Sequence, residues 1–213
     1  MSLFNEQVKG QLKDLLGNMQ DDVYLAFFTR EDGCQTCADT QTFLEEIASL
    51  SPRLTLVRYD YDRDTEAVAT YHIDKTPAIA LLDANQEDTR IRFYGIPAGY
   101  EINSFVGALV EVSGNRQPLP DELKARIEAL DKDIHLQVFI TLSCPHCPGA
   151  VMAAHRLALE SKRITADMVE ASTFMELSQQ HQVMGVPHTV INDKGQLVGA
   201  RPLEALLQEL ERV

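Results

Sequence analysis

Several residue types and patterns are scarce in this chain. It has no tryptophan and only four cysteines in 213 residues. Its apolar runs are far shorter than the roughly 20 residues that a membrane-spanning helix needs. Basic residues are also in deficit, with 19 Lys and Arg against 32 Asp and Glu and a net charge of −13. A surface of this sign argues against nucleic acid and anionic membranes as partners, because phosphate binding needs a basic footprint.

The N-terminal residues lack the basic start and apolar stretch of a signal peptide. We therefore expect a cytoplasmic protein. Disulfides are kept reduced in most cytosols, so cysteine pairs there are more often catalytic or metal-binding than structural.

The four cysteines form two Cys-x-x-Cys motifs, each with its own distant proline. Cys34-Gln-Thr-Cys37 and Cys144-Pro-His-Cys147 are 110 residues apart, and Pro77 and Pro187 are separated by the same distance. Each proline therefore follows its first cysteine by 43 residues. This matched spacing indicates two copies of one redox unit.

Hydrophobic periodicity gives both halves the same order of elements. A helix and an apolar strand precede each Cys-x-x-Cys motif, and a helix begins near the cysteines. A strand, a short helix, the proline, two hairpin strands and a last helix follow. The segment 113–120 has turn composition and is the best boundary. We predict an α/β protein of two tandem thioredoxin-like units, residues 1–115 and 116–213, each with a mixed central β-sheet flanked by helices.

The position of the cysteines at a helix start predicts their chemistry. Unpaired N–H groups and the helix dipole favour the thiolate of the first cysteine, and the second lies about one turn further along the helix. Cys34 and Cys144 are the predicted nucleophiles, and Cys37 and Cys147 the predicted resolving cysteines, in exchange through a mixed disulfide.

The residues between and around the cysteines predict that the two sites differ. A protonated His146 next to Pro145 would lower the pKa of Cys144 and stabilise the reduced form. Near Cys34 the charges are negative, and residues 1–115 hold 9 Lys and Arg against 19 Asp and Glu. Negative neighbours disfavour a thiolate. We expect the Cys144 pair to have the higher reduction potential.

The two prolines are candidates for cis peptide bonds. The dipeptides Thr76-Pro77 and Val186-Pro187 each lead into an apolar strand, and X-Pro is where a cis bond can occur. A cis proline packed against the motif would leave neighbouring backbone groups free to pair with an extended substrate. An ordinary trans turn proline is the more frequent case, but the matched spacing favours the cis form here.

Other interpretations of these residues are weaker. A zinc ribbon spaces its two cysteine pairs about 15–20 residues apart, whereas Cys37 and Cys144 are 107 apart, so we predict no metal site. His188 is equally compatible with a substrate groove and with strand packing. The remaining histidines show no ligand spacing with the cysteines and are expected at the surface or in packing: His72, His135, His155 and His181.

The chain resembles the two-unit protein disulfide oxidoreductases, also called glutaredoxin-like proteins. The resemblance rests on the first Cys-x-x-Cys, on the segments 92–100 and 167–170, and on the runs 143–151 and 183–187. A proline directly after the second motif is also found in the N-terminal domain of alkyl hydroperoxide reductase flavoproteins, a more distant relative. That relative typically lacks a Cys-x-x-Cys in its first unit and continues into a flavin-binding region, so the expectation here is a stand-alone oxidoreductase.

The resemblance implies reductase and oxidase activity on protein disulfides, and it leaves isomerase activity open. It implies protein thiols and disulfides as substrates and no bound cofactor, with electrons from a separate thioredoxin-reductase-type flavoenzyme. Thioredoxin itself has a buried acid six residues before its first cysteine, where this chain has Phe28 and Val138. The proton acceptor for the resolving thiols is therefore open. The alternative function is a non-catalytic module that senses redox state or binds a metal or a partner.

Overall fold

A computed structural model describes residues 3–212. The first half contains α1 (Glu6–Leu16), β1 (Val23–Thr29), α2 (Cys37–Ala48), β2 (Leu54–Asp60), α3 (Thr65–Thr70), β3 (Ala78–Leu82), β4 (Asp88–Tyr94) and α4 (Ile102–Val112). The second half contains α5 (Asp121–Glu128), β5 (Ile134–Ile140), α6 (Cys147–Glu160), β6 (Ile164–Glu170), α7 (Met175–Gln180), β7 (His188–Ile191), β8 (Gly195–Val198) and α8 (Leu203–Leu210). The predicted order of elements is confirmed in both halves.

Element boundaries differ from the sequence expectation in a few places. The spacing of Phe4 and Met19 predicts that they belong to the first helix, but they lie outside α1, and Met19 is buried in the loop that follows it. The apolar pattern predicts the last strand at residues 197–199, whereas the structure has it at Gly195–Val198. Periodicity cannot separate a buried loop residue from a buried helix residue, because both contribute to the same core.

The strands of both halves form one eight-stranded mixed sheet in the order β2-β1-β3-β4-β6-β5-β7-β8. The halves join through parallel pairing of β4 with β6, in which Arg92 lies opposite Asp167. Pairing two strands that would otherwise be edges satisfies their backbone groups. The boundary at residues 115 and 116 stays a prediction, and the sheet is continuous across it.

The two faces of this sheet are covered unequally. Alternate residues of the strands point to opposite faces, so that Phe27 belongs to one core cluster and its neighbour Phe28 to the other. The larger cluster packs against six helices, namely α1, α2, α4, α5, α6 and α8. The smaller cluster packs against the two short helices α3 and α7.

Aromatic contacts hold the central strands to the larger helical layer. The ring of Phe93 on β4 meets Phe105 on α4 edge to face, with centroids 5.0 Å apart, and Phe105 meets Phe43 on α2 at 5.8 Å. Truncating a buried phenylalanine costs about 3–5 kcal/mol in typical cores. This layer therefore fixes α2 relative to the sheet, and with it the first redox motif.

Strand directions determine where the two motifs lie. β1 is parallel to β2 and antiparallel to β3, and the pairings across β4 and β6 give β5 the same direction as β1. The carboxyl ends of β1 and β5 therefore lie at the same edge of the sheet, and both Cys-x-x-Cys motifs follow those ends. Within residues 3–212, no helix is long and apolar enough to cross a membrane.

Candidate active site

The first motif follows the carboxyl end of β1. Cys34 lies in the loop, and α2 begins at Cys37, the residue to which Cys34 is disulfide-bonded with a Cα–Cα distance of 5.5 Å. Cys34 is half-buried, whereas Cys37 is only 4% exposed. Cys34 is therefore the more accessible residue of the pair.

The second motif repeats this arrangement after β5. Cys144 is bonded to Cys147, the first residue of α6, again with a Cα–Cα distance of 5.5 Å. Cys144 is 8% exposed and Cys147 is fully buried. Pro145 and His146, between the cysteines, are both exposed. Pro148 occupies the first turn of α6, where a missing N–H costs no helical hydrogen bond.

The helix starts suit thiolate chemistry. Thr36 and His146 precede the first helical residues, and neither side chain makes a capping hydrogen bond. First-turn N–H groups therefore stay available to a sulfur anion, and the helix dipole favours negative charge there. Such surroundings lower the pKa of a cysteine when the disulfide is reduced.

The two prolines lie beside the redox motifs. The peptide bonds Thr76-Pro77 and Val186-Pro187 are both cis, as the spacing predicted. Pro77 directly precedes β3, in which Ala78 pairs with Phe28 near the end of β1. Pro187 likewise precedes β7, in which His188 pairs with Phe139 near the end of β5. Strand register thus places each proline at the sheet edge that carries its own motif.

The cavity next to Cys34 is built by both halves of the chain. It has a volume of about 640 Å³. From the first half it is lined by the Cys34 loop and by Thr76, Pro77 and Ile96, and from the second half by the loop before Cys144 and the turn after β6, namely Thr141, Leu142, Ser143, Glu170, Ser172 and Thr173. A ligand of the first motif therefore also contacts the second half.

Glu170 orders the second-half wall of this cavity. Its carboxylate accepts hydrogen bonds from the backbone N–H of Ser172 at 3.2 Å and from the N–H and hydroxyl of Thr173, both at 2.6 Å. Its Cβ also lies against Gly95, which has a φ of +98°. A side chain at position 95 would come within 2.6 Å of that Cβ, so only glycine fits there without a shift.

Charges differ between the two motifs in the predicted direction. The first turn of α2 contains Asp39, whereas the first turn of α6 contains no acidic residue. Upstream of Cys34, however, Glu31 pairs with Arg63 at 3.7 Å. Its charge is therefore partly balanced, and Asp39 is a more direct reason than Glu31 for a disfavoured Cys34 thiolate.

Sequence reasoning missed a buried acid beside the second motif. Glu101 ends a single 3-10 turn that starts at Gly99, and its side chain is fully buried. One carboxylate oxygen accepts a short hydrogen bond from Ser104, and the other has no partner. Burial raises the pKa of Glu101 to about 7, against the smaller opposing effect of the Ser104 bond.

Glu101 is tied to the second motif through its neighbours. The turn packs on α6, which begins at Cys147, and the N–H of Tyr100 donates to the carbonyl oxygen of Leu142 at 3.0 Å. Phe28 and Val138 are fully buried and apolar, so the acid near this motif comes from another part of the chain. A glutamate next to the apolar stripe of α4 was the available signal.

Three of the histidines lie in packing or pairing contacts: His135, His155 and His188. His155 is buried with its ring against that of Phe93, and the two ring centroids are 4.7 Å apart. Burial lowers the pKa of His155 to about 3. His135 meets the carboxylate of Asp167 at 2.6 Å. His188 is buried within β7, which favours the strand-packing alternative. Within residues 3–212, no cluster of three or more His, Cys, Asp or Glu is arranged to hold a metal ion.

Comparison with known proteins decides the family. A family model described as a thioredoxin domain matches residues 134–212. The N-terminal domain of the alkyl hydroperoxide reductase AhpF from Enterococcus faecalis superimposes with a TM-score of 0.92 at 33% identity, covering 97% of this chain and 99% of that one. The chain belongs to the tandem thioredoxin-fold family.

A second solved structure is similarly close to this tandem thioredoxin-fold protein. A protein disulfide oxidoreductase from Aeropyrum pernix superimposes with a TM-score of 0.89 at 29% identity, covering 97% of this chain and 92% of that one. The resemblance to two-unit disulfide oxidoreductases is thus confirmed. The predicted fold class is confirmed with it.

A curated relative is much longer than this protein. The alkyl hydroperoxide reductase AhpF of Staphylococcus aureus is 29% identical over 209 residues, which are 98% of this chain but only 38% of that protein. The tandem thioredoxin-fold protein therefore spans just over a third of the length of that relative. Its fold and its two Cys-x-x-Cys disulfides are those of thioredoxin-fold disulfide oxidoreductases.

Proposed function

We propose that this protein is a thiol–disulfide oxidoreductase that exchanges disulfides with other proteins, as reductase and as oxidase. One observation carries the proposal. Each Cys-x-x-Cys pair is oxidised at the start of a helix, and in each pair the first cysteine is the more accessible. That arrangement offers a reachable nucleophile and protects a resolving thiol.

The proposed reaction is two successive exchanges. The thiolate of Cys34 or Cys144 attacks one sulfur of a substrate disulfide, forming a mixed disulfide and releasing the other sulfur as a thiolate. Cys37 or Cys147, once deprotonated, then attacks the enzyme sulfur of that bond. The substrate leaves as a dithiol, two electrons have passed to it, and the enzyme pair is a disulfide again. Substrate oxidation is the reverse sequence.

Glu101 is the proposed proton acceptor for Cys147. It is buried beside α6, has one unpartnered oxygen, and has a pKa of about 7. A group with a pKa near the working pH exchanges protons most effectively.

Electrons are proposed to come from a thioredoxin-reductase-type flavoenzyme, with no cofactor bound by this chain itself. The similarity to the AhpF proteins of alkyl hydroperoxide reductase supports a second candidate partner, a peroxide-reducing protein with its own disulfide. We propose a cytoplasmic setting, where both kinds of partner meet reduced thiols.

The test is the reduction of insulin with dithiothreitol as the electron donor. The rate is measured from the precipitation of the released insulin chains. The variants Cys34→Ser/Cys37→Ser and Cys144→Ser/Cys147→Ser report each site alone, and the quadruple variant is the control. We expect turnover above background from the native protein and from at least one double variant. Suppose that both disulfides form in the native protein before the assay, and that its turnover still equals that of the quadruple variant. That result would support the alternative of a non-catalytic redox-sensing or partner-binding module.

A further inference from the structure

The cavity beside Cys34 has no positively charged side chain in its wall. Most of the described residues that line it carry a hydroxyl or an amide, and none of them is Lys, Arg or His. Besides Cys34 itself, the one lining residue that ionises is Glu170. An acidic group brought to Cys34 would therefore meet no cation in this wall, whereas a basic group would be attracted.

The lysine next to the first cis-proline is held by other groups. Lys75 directly precedes Thr76, which lines the cavity. Its ammonium lies 2.7 Å from a carboxylate oxygen of Asp74 and 3.7 Å from the ring centre of Tyr94. The side chain is only 14% exposed, so Lys75 is not free to bind an anionic substrate.

The arginines nearest in the chain to the first motif are also paired. Arg30 donates to both carboxylate oxygens of Asp62, at 2.7 and 2.8 Å. Arg63 lies 3.7 Å from a carboxylate oxygen of Glu31. Each arginine is thus balanced by an acid of the same half.

Two aspartates beside the motif have no such balance. Asp32 directly precedes Gly33, which lines the cavity, and Asp39 lies in the first turn of α2. Both are exposed, and neither takes part in an ion pair among residues 3–212. The surroundings of Cys34 therefore carry a net negative charge.

The second motif has different surroundings. The first turn of α6 contains no acidic residue. The residue 110 positions after Asp74 is Met184, which is 94% exposed. The loop before Pro187 is therefore apolar where the loop before Pro77 is charged, and the two motifs present different surfaces to a substrate.

On the basis of the proposed thiol–disulfide exchange, we propose that the first motif selects protein disulfides whose cysteines are flanked by Lys or Arg. The cavity of about 640 Å³ has the size of a small-molecule site, and so it admits the residues next to one substrate cysteine. The unpaired acids attract flanking basic residues and raise the rate at which such a segment reaches Cys34.

The test compares three peptide disulfides as substrates of the Cys144→Ser/Cys147→Ser variant. Each is the disulfide-linked dimer of acetyl-X-Ala-Cys-Ala-X-amide, in which X is Lys, Gln or Glu. The reduced enzyme pair converts the peptide disulfide to two thiols, and dithiothreitol then reduces the enzyme disulfide. Each kcat/KM is divided by the rate constant of dithiothreitol alone with the same peptide, which removes the intrinsic reactivity of that disulfide.

We expect the corrected kcat/KM of the Lys peptide to exceed that of the Glu peptide by about tenfold or more at low salt, the lower range of electrostatic steering. The Gln peptide should lie between them. The ratio should shrink at about 1 M salt, where charges are screened within about 3 Å.

Charge variants locate the effect. Asp32→Asn and Asp39→Asn should each lower the Lys-to-Glu ratio by about twofold. Asp21→Asn is the matched control, because Asp21 is an exposed acid before the amino end of β1. The seven residues of β1 place it about 23 Å from the end that leads to Cys34, so the ratio should not change.

The outcomes separate this substrate preference from the reaction itself. A ratio near one in an active variant would overturn the preference and leave the proposed exchange reaction standing. An equal ratio in the Cys34→Ser/Cys37→Ser variant would also overturn it, since the net charge of the whole protein would then be the cause. If the first-motif variant reduces none of the peptides, both the preference and the proposed exchange at Cys34 are wrong.

Discussion

Tyr100 and Leu142, which belong to different halves of the chain, are joined by a backbone hydrogen bond of 3.0 Å. Leu142 lies two residues before Cys144, and Tyr100 directly precedes Glu101. This bond therefore attaches the segment with the buried acid to the loop that bears Cys144. A buried acid of the first half therefore lies on a turn that is bonded to the loop of the second motif.

The activity of the second motif should depend on Glu101. We expect Glu101→Gln, made in the Cys34→Ser/Cys37→Ser background, to lower insulin turnover by about 10²-fold, the lower range for loss of a positioned acid or base. The pH–rate profile should also lose its inflection near 7, the pKa of Glu101. The matched control is Glu66→Gln, an exposed glutamate on α3. An unchanged pH profile with reduced turnover would show a merely structural role.

Glu101 should also make stability depend on pH. Its folded pKa is about 7 against an ordinary 4.5, so the unfolded state releases this proton first and stability is lost as pH rises through 7. Relative to Glu101→Gln, the native free energy of unfolding should fall by on the order of 3 kcal/mol between about pH 4 and about pH 9. Urea denaturation at several pH values measures it. A difference that is constant over this range would refute the prediction.

Gly99 should not tolerate a side chain. Its φ is +59°, and a Cβ there would overlap the carbonyl oxygen of Leu142. We expect Gly99→Ala to destabilise the protein by about 1–3 kcal/mol. It should also slow disulfide exchange at the Cys144–Cys147 pair, because the loop before Cys144 is displaced. Gly10→Ala is the control, because Gly10 is exposed within α1 with open space around it. That variant should stabilise the protein by about 0.5–1 kcal/mol, and thermal unfolding distinguishes the two.

The two disulfides should have different reduction potentials. Asp39 lies in the first turn of α2, while the first turn of α6 has no acid and follows His146. The Cys144 thiolate should be the more stable, which stabilises its reduced pair and raises its potential. Equilibration of each double serine variant with glutathione redox buffers measures this. A higher potential for the Cys34 pair would contradict the electrostatic argument.

The ion pair between Arg92 and Asp88 should be needed for folding stability. Its removal by Asp88→Asn leaves a buried guanidinium without its carboxylate, which costs about 3–5 kcal/mol in comparable cases. Burial acts to raise the pKa of Asp88, but hydrogen bonds and charge from Arg92 outweigh it, so the pKa is lowered. The stabilisation is therefore present above the ordinary pKa of the carboxyl and is lost as pH falls. Asp62→Asn, at an exposed pair with Arg30, should cost far less.

Patterns in the sequence are sufficient to predict the elements and the redox residues. These patterns are the apolar runs, the two helices that begin at cysteines, and the matched spacing of Cys34 with Pro77 and of Cys144 with Pro187. They predict the order of elements, the tandem fold and both cis peptide bonds, all of which the structure contains. Hydrophobic periodicity acts over a few residues, and the matched spacing is a repeat within the chain itself, so both can be recognised without a structure.

The surroundings of those residues depend on the folded arrangement of the whole chain. Pairing of β4 with β6 merges two sheets into one and creates a cavity at Cys34 with walls from both halves. It also brings Arg92 opposite Asp167, while packing of the turn at Glu101 on α6 supplies a buried acid. These contacts join residues far apart in the chain. Their energies come from burial and pairing in the folded state, which no local pattern encodes.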